Sequence, residues 1–220
     1  QSAEPDEEVS YTINITNDGN GEDDITLSLH GGNATWGTLA ESYFTLAAGE
    51  SDETTLRVTA PDGTLAQNGY SITIRATSED TSTKANRNVF LNVQQVFEVS
   101  VSVSGDSTKS GDPGDSLSYS ITVKNKGNGD DTVNLALEGA QADWGSIVED
   151  VDLDAGESLM VNLTINIDEE ANFGDYSIAI NGSSDEAETD TYDTTSVTVT
   201  VNKEYKVDLL INQAQESGDA

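Results

Sequence analysis

One strand-and-turn motif constrains this chain more than any other feature, because it occurs twice at a spacing of 108 residues. Residues 11–21 read YTINITNDGNG and residues 119–129 read YSITVKNKGNG. In both copies apolar and polar residues alternate as in a half-buried strand, and the alternation ends at a glycine-rich turn. A long fixed period indicates tandem copies of one unit. The 220 residues are therefore predicted to form two β-domains and a short piece of a third.

Further features repeat in the same order and support this division. Each copy has a Trp-Gly pair, at Trp36 and Trp144, and each then has a Leu-x-x-Gly-Glu-Ser turn, at residues 46–51 and 153–158. No helical periodicity competes with the strand pattern, so the prediction is an all-β chain of tandem β-sandwiches with about seven strands each. The polar segments 77–88 and 183–195 are predicted to be exposed loops.

The chain is out of phase with its predicted domains. A strand at residues 97–103 follows the first repeat with almost no linker, and its counterpart is residues 205–211 near the other end. The predicted divisions are residues 1–95, a repeat without its own first strand, residues 96–203, a complete repeat, and residues 204–220. Two interpretations stay open. Either the chain is a window of a longer repeat protein, or a strand is donated to another subunit through Tyr205, Val207, Leu209 and Ile211.

The net charge of the chain limits its possible partners and suggests a saline environment. There are 41 Asp and Glu residues against 9 Lys and Arg, which gives a net charge of −32. Nucleic acid and anionic lipid are therefore excluded as expected partners, and no apolar run predicts membrane insertion. Self-repulsion on this scale is relieved by salt, which favours a saline, halophilic source. The absence of cysteine excludes disulfides and thiolate metal sites.

The two glycine-rich turns present oxygen-bearing side chains that suit calcium. An alternative is that the glycines supply positive φ angles and the asparagines cap the backbone, so that the turn is purely structural. Neither turn has the EF-hand spacing. The candidate ligands are Asn17, Asp18, Asn20, Glu22, Asp23, Asn125, Asn128, Asp130 and Asp131. No cofactor other than calcium is predicted.

The tryptophans and the single histidine are better explained by packing than by ligand binding or catalysis. Trp36 and Trp144 could stack on sugars, but their recurrence at the same position favours a packing role. The single histidine, His30, is replaced by Glu138 in the second copy, so a shared catalytic triad is excluded and no enzyme is predicted.

The chain contains four Asn-x-Ser/Thr sequons that predict glycosylation in a secreted protein. Two of them, Asn33 and Asn181, are expected to be modified first because they are predicted to lie in loops or at strand ends. The other two, Asn14 and Asn162, fall on polar positions of predicted strands.

The repeated strand-and-turn motif, the Trp-Gly pair and the Leu-x-x-Gly-Glu-Ser turn together resemble the immunoglobulin-like repeats of prokaryotic, especially archaeal, surface proteins. Among these are the cell-adhesion-related domain found in bacteria (CARDB) and a related domain appended to alpha-galactosidases. The resemblance covers the chain from about Pro5 to Val201. It implies tandem immunoglobulin-like sandwiches in an extracellular, cell-surface or S-layer setting, with no shared catalytic residues.

The expected function is that of a structural segment of a surface protein or filament, forming a stiff acidic rod. Its partners would be copies of itself or further repeats of the same chain. An adhesin or a carbohydrate-binding appendage of a larger secreted protein is the alternative from a different class.

Overall fold

Strands make up nearly all of the regular structure in the computed structural model, which describes residues 1–187 and 191–210. The predicted all-β sandwich fold is confirmed. Each repeat contributes two sheets and one short 3₁₀ turn that ends at its tryptophan, Ala34–Trp36 and Ala142–Trp144.

The first repeat contains eight strands. They are β1 (Ser2–Ala3), β2 (Glu8–Thr16), β3 (Asp23–His30), β4 (Gly37–Leu39), β5 (Tyr43–Leu46), β6 (Ser51–Thr59), β7 (Gln67–Ser78) and β8 (Lys84–Val93). The larger sheet has the order β1-β8-β7-β3-β5 and the smaller has the order β2-β6-β4.

The described part of the second repeat contains nine strands. They are β9 (Val99–Ser104), β10 (Thr108–Gly111), β11 (Ser116–Asn125), β12 (Asp131–Glu138), β13 (Gly145–Ser146), β14 (Asp150–Leu153), β15 (Ser158–Asn166), β16 (Gly174–Ser184) and β17 (Tyr192–Val201). Its sheets have the orders β10-β17-β16-β12-β14 and β13-β15-β11-β9.

The two repeats have the same topology except at one edge. Strand β11 of the second repeat is paired on both sides, with β15 and with β9. Among the described residues its counterpart β2 is paired with β6 alone, so one edge of the smaller sheet of the first repeat has no strand beside it there. An edge without a partner presents backbone N–H and C=O groups that can pair with another chain.

Two separate hydrophobic cores follow from the alternation of apolar residues along the strands. The first core contains buried side chains between Ala3 and Val93, and the second contains buried side chains between Val99 and Val201. The inward positions of β11 show the pattern most clearly, because Tyr119, Ile121 and Val123 are all almost fully buried. Burial of such side chains is the main favourable term in folding.

The strand count and the loop prediction both differ from what the sequence indicates. The additional strands are short, such as β1 and β4, and are defined by a few backbone hydrogen bonds. Residues 77–88 are not a loop throughout, because β7 and β8 pair as far as Thr77 and Lys84. Likewise β16 and β17 pair as far as Ser183 and Tyr192. Backbone pairing along a long hairpin therefore outweighs a polar composition.

The repeated Leu-x-x-Gly-Glu-Ser turn has the same structure in both copies. Gly49 and Gly156 have φ angles of +78° and +76°, which an L side chain rarely adopts. Glu50 accepts a hydrogen bond from the N–H of Ala47, and Glu157 accepts one from the N–H of Asp154. The turn is therefore specified by its own glycine and glutamate.

Candidate functional site

The side chain of the asparagine that begins each glycine-rich turn forms hydrogen bonds with the backbone. The Nδ2 atom of Asn17 donates to the carbonyl oxygens of Gly21 and Leu46, both at 2.8 Å, and its Oδ1 accepts from the N–H of Gly19 at 2.9 Å. Asn125 makes the matching bonds to Gly129 at 2.8 Å and Leu153 at 3.1 Å. Both amides stabilise the turn, as the structural alternative predicted.

The remaining candidate calcium ligands are not brought together into a metal site. The side chains of Asp18, Asn20, Glu22 and Asp130 are exposed, whereas those of Asp23 and Asp131 accept hydrogen bonds from serine hydroxyls of the neighbouring strand. Among residues 1–187 and 191–210 no group of three or more His, Cys, Asp or Glu side chains is placed to hold a metal ion. Calcium binding at these turns stays a prediction.

The turn of the second repeat, residues 125–129, is here called the junction turn because it contacts the first repeat. Its central residue, Asn128, is 6% exposed. The Nδ2 atom donates to the carbonyl oxygens of Thr64 at 2.9 Å and Gln94 at 3.0 Å, and Oδ1 accepts from the N–H of Val96 at 2.7 Å. One side chain thus joins a loop of the first repeat, the linker at residues 94–98 and the second repeat.

The backbone of the junction turn adds to this contact. The carbonyl oxygen of Asn128 accepts from the N–H of Ala66 at 2.8 Å, and its own N–H donates to Val96 at 3.3 Å. A Cβ at Gly127 would collide with the carbonyl oxygen of Val96, so the close approach requires glycine there. The Lys126 ammonium lies 3.3 Å from the Glu98 carboxylate at the rim.

The equivalent turn of the first repeat, residues 17–21, is exposed at its tip and is here called the exposed turn. Asn20 corresponds to Asn128 and Asp18 corresponds to Lys126, and both side chains face solvent. Sequence reasoning treated the two turns alike because their motifs are the same. The sequence signal for a difference was the exchange of Asp18 for Lys126 at the turn tip.

An open groove lies beside the unpaired edge of β2 and has a volume of about 870 Å³. Its apolar lining comes from both sheets of the first repeat and includes Ile13, Ile15, Ile25, Leu27, Ile74 and Val89. Ile13 is only half-buried, whereas its counterpart Ile121 is 0% exposed beneath strand β9. The groove therefore occupies the place that β9 fills in the second repeat.

The described part of the predicted donor strand, residues 205–210, has no strand partner among the described residues. Residues 202–210 belong to no strand, and the side chains of Tyr205, Val207 and Leu209 are 84%, 97% and 82% exposed. Ile211, the last predicted contact, lies outside the described residues. Three apolar side chains in alternation are thus left in solvent, which is unusual for a soluble domain.

Asp131 carries a buried carboxylate that has only part of its hydrogen-bonding capacity used. It is 4% exposed, its Oδ1 accepts from the Ser184 hydroxyl at 2.9 Å, and its Oδ2 has no hydrogen-bond partner within residues 1–187 and 191–210. Burial raises the pKa of the Asp131 carboxyl above its ordinary value, against the lowering effect of the Ser184 hydrogen bond. The charged form is therefore disfavoured in the folded protein.

Asp131→Asn is expected to stabilise the second repeat at pH 7 and to have less effect at pH 4. Because the folded-state pKa is above the unfolded one, the protonated group favours folding at low pH, and this contribution is lost as the pH rises through the folded pKa. Urea unfolding at both pH values measures the difference. The control is Asp23→Asn, whose Ser78 partner lies at 3.0 Å but whose side chain is more exposed. Equal shifts for both variants would contradict a role for burial.

The tryptophans are packed beneath tyrosines and do not form open stacking platforms. The ring centroids of Trp36 and Tyr70 lie 5.0 Å apart, and those of Trp144 and Tyr176 also lie 5.0 Å apart. Tilted aromatic pairs of this kind are typical of packing contacts. His30 contacts the hydroxyl of Ser28 at 2.9 Å, and among the described side chains its hydrogen bonds include no carboxylate.

The predicted position of one glycosylation sequon, Asn181, needs a correction. Asn181 does not end a strand but lies inside β16, where its backbone pairs with Ala136 and Thr194. Asn33 is half-buried and donates to the carbonyl oxygen of Ser71 at 3.3 Å. The side chains of Asn14 and Asn162 are exposed. Glycosylation at all four positions stays a prediction, but accessibility now favours the second pair.

Residues 8–93 match a family model that is described as "IG-like fold at C-terminal of FixG, putative oxidoreductase". The first repeat is similar to an immunoglobulin-like domain. The predicted immunoglobulin-like fold is therefore confirmed. The match covers less than half of the chain, and it is to an immunoglobulin-like family other than the CARDB domain. The oxidoreductase in the description is FixG itself.

Solved structures with a similar fold are distant relatives at most. A family 123 glycoside hydrolase from Clostridium perfringens is 12% identical with a TM-score of 0.40, over 48% of this chain and 27% of the enzyme. A protein of unknown function from Porphyromonas gingivalis W83 is 13% identical with a TM-score of 0.34, over 90% and 94%. PapD-like domain 7 of human CEP192 is 12% identical with a TM-score of 0.37, over 49% and 87%.

At these TM-scores the likenesses carry no argument about function, and the chain spans about a quarter of the glycoside hydrolase's length. No match to a curated protein was found. Within the described residues, no helix has the length and hydropathy needed to span a bilayer.

Proposed function

We propose that this chain is a structural segment of an extracellular surface protein or filament, in which the repeats form a stiff acidic rod. The observation that carries the proposal is the junction at Asn128. A buried side chain with three hydrogen bonds to the linker and the neighbouring repeat fixes the direction in which one repeat follows the other. Flexible connections between domains usually lack such contacts.

The linker itself supports the same conclusion. Five residues, 94–98, separate β8 from β9, and three of their backbone groups are bound by Asn128. The side chain of Gln95 also donates to the carbonyl oxygen of Asp130 at 2.7 Å. Because both the linker and the adjoining loop are held, bending at the junction requires breaking several hydrogen bonds at once.

Small-angle X-ray scattering of residues 1–203 tests the stiffness. This truncation leaves both cores intact, because the last core residue is Val201 and the removed residues that the structure describes belong to no strand. We expect one elongated shape whose maximum dimension agrees with the end-to-end arrangement of the two repeats. A broad distribution of dimensions, as for two domains on a flexible tether, would contradict the proposal. Antibody labelling of intact source cells tests the surface location separately.

The acidic surface predicts a strong dependence of stability on salt. The described residues contain three ion pairs, Arg57 with Glu8, Lys126 with Glu98 and Lys206 with Glu204. All three are exposed and each contributes little, so most of the net charge of −32 is uncompensated. We expect the melting temperature to rise by about 10 °C or more between 10 mM and 1 M NaCl as repulsion is screened. A melting temperature that is indifferent to salt would contradict a saline setting.

A further inference from the structure

We infer that Asn68 is a site of spontaneous deamidation, in which the backbone nitrogen of Gly69 displaces the side-chain amide, and that the side chain of Asn92 slows this reaction. The inference goes beyond the proposed function and does not rest on it. Asparagine followed by glycine is the reactive pair, because glycine has no Cβ to hinder the approach of its nitrogen to the preceding side chain.

Asn-Gly pairs occur four times in the chain, at Asn20, Asn68, Asn128 and Asn181. Asparagine is one of the thermolabile residue types in proteins. The pair at Asn20 lies in the exposed turn, at the outer end of the first repeat. The other three pairs are surrounded by residues of the described chain, and they differ in burial and in hydrogen bonding.

Two of these three asparagines are held in place by the fold. Asn128 is 6% exposed, and its side chain makes three hydrogen bonds across the junction. Asn181 lies inside β16, whose backbone pairs with β12 on one side and with β17 on the other. Ring closure would move the nitrogen of Gly129 or Gly182 towards the preceding side chain. Each of these sites must therefore open before it can react.

Asn68 differs from both because its side chain is exposed and lies at a break in the sheet. The pairing of β7 with β8 shifts between Gln67 and Tyr70, so that Asn68 and Gly69 together face one residue of β8, as in a β-bulge. Gly69 has a φ angle of +84°. Among the described residues, none apart from its chain neighbours places a heavy atom within 4 Å of the position that its Cβ would take. The reacting pair therefore has the space that ring closure needs.

The side chain of Asn92 restrains the attacking nitrogen. Its Oδ1 accepts a hydrogen bond from the N–H of Gly69 at 3.0 Å. The Gly69 nitrogen must turn towards Cγ of Asn68 and lose its proton, so this hydrogen bond has to break first. The bond is exposed, and the net contribution of such a hydrogen bond is small, so it slows the reaction without preventing it.

The surroundings of Asn68 come from the interior of the chain. Strand β8 separates the bulge from β1, and the linker continues from β8 into the second repeat. In the second repeat, β17 ends opposite Gly174, the first residue of β16. The last residue of β16, Ser184, donates to Asp131 next to the junction turn, and the 11 residues of this strand span about 35 Å. The bulge is therefore bordered by residues of the described chain itself.

The reaction is a hydrolysis that needs only water. The Gly69 nitrogen forms a bond to Cγ of Asn68 while the bond from Cγ to the side-chain nitrogen breaks, and ammonia leaves with the proton from Gly69. The product is a cyclic succinimide. Water then adds to one of its carbonyl carbons and opens the ring. Addition at Cγ gives aspartate, and addition at the backbone carbonyl carbon gives isoaspartate, in which the main chain runs through the side chain.

The modified residue would lie in a loop that the junction binds. The Tyr70 hydroxyl donates to the carbonyl oxygen of Leu65 at 3.0 Å and so closes a loop around Asn68. Ala66 lies in this loop, and its N–H donates to the carbonyl oxygen of Asn128 at 2.8 Å. Isoaspartate adds a methylene group to the main chain inside the loop, so we expect the Ala66 amide to exchange its hydrogen faster in the isoaspartate form. An unchanged exchange rate would overturn this step.

Peptide mapping of the aged full chain by mass spectrometry tests the inference. One sample is kept folded in mildly alkaline buffer, and a second is kept in guanidinium chloride. The reaction adds about 1 Da at the modified asparagine, and an isoaspartyl methyltransferase labels isoaspartate. In the folded chain we expect Asn68 to react at least about 10-fold faster than Asn128 and Asn181, because those two need local opening. In guanidinium chloride the three rates should agree within about 3-fold, since every site is then unfolded.

Two variants separate the roles of the side chains. Asn68→Gln should remove the product at this position, because the longer side chain forms a larger ring much more slowly. Asn92→Ala should raise the rate at Asn68 by about 2- to 10-fold in the folded chain, the factor expected for one hydrogen bond, and should have no effect in guanidinium chloride. Asn88→Ala is the matched control. Its Oδ1 accepts from the Thr73 hydroxyl at 2.9 Å in the same hairpin, so the rate at Asn68 should stay unchanged.

Three results would overturn the inference. They are a folded chain in which Asn68 stays intact although it reacts in guanidinium chloride, equal rates at Asn68 and Asn128 in the folded chain, and a rate at Asn68 that Asn92→Ala does not raise. None of these results bears on the stiffness of residues 1–203, which scattering measures on freshly prepared protein.

Discussion

Leu56→Ala should unfold the first repeat at a lower urea concentration than Leu163→Ala unfolds the second. The two leucines are equivalent, since Leu56 pairs with Tyr11 and Leu163 pairs with Tyr119, and both are 0% exposed. Removing a buried leucine side chain costs about 2–5 kcal/mol in either repeat. The first repeat has less stability to lose, because its smaller sheet has three strands where the second repeat has four.

The chain provides its own reporters for this comparison. Trp36 packs on the first core and Trp144 on the second, so single-tryptophan variants made with Trp36→Phe or Trp144→Phe follow one repeat at a time. In the parent chain we already expect the Trp36 transition to come first. Coincident transitions in all variants would mean that the two repeats unfold as one unit, which would contradict a separate, weaker first repeat.

The repeat period and the sandwich fold could be predicted from sequence because each depends on local patterns. Alternation along β2 and β11 defines which side chains face the core, and the glycine at position 49 or 156 is required by its positive φ angle. The length of the β7–β8 hairpin could not be predicted this way. The outer part of this hairpin is polar. Its strands pair through backbone hydrogen bonds, which amino-acid composition does not reveal.

The candidate site could be predicted only in part, because the role of each glycine-rich turn depends on which part of the chain lies next to it. Asn20 and Asn128 belong to the same motif, yet one is exposed and the other is buried against a linker. The sequence contains no local difference at these two residues. The exchange of Asp18 for Lys126 is present in the sequence, but it becomes interpretable only once the ion pair of Lys126 with Glu98 at the junction is seen.

Asn128→Ala should release the two repeats from their fixed arrangement without unfolding either one. The substitution removes three side-chain hydrogen bonds, and a backbone group of Thr64, Gln94 or Val96 that stays unsatisfied after losing its partner costs up to about 1–3 kcal/mol, less where water reaches it. We expect the junction to lose about 2–4 kcal/mol of stabilisation, since water can reach part of it once it opens. Scattering of residues 1–203 should then show a broader range of dimensions.

Asn20→Ala is the matched control, because it makes the same change at the exposed turn. In residues 1–203 it should leave both the dimensions and the two unfolding transitions unchanged, since Asn20 faces solvent. If Asn128→Ala leaves the dimensions unchanged, the junction is not held by this side chain and the rod must have another cause.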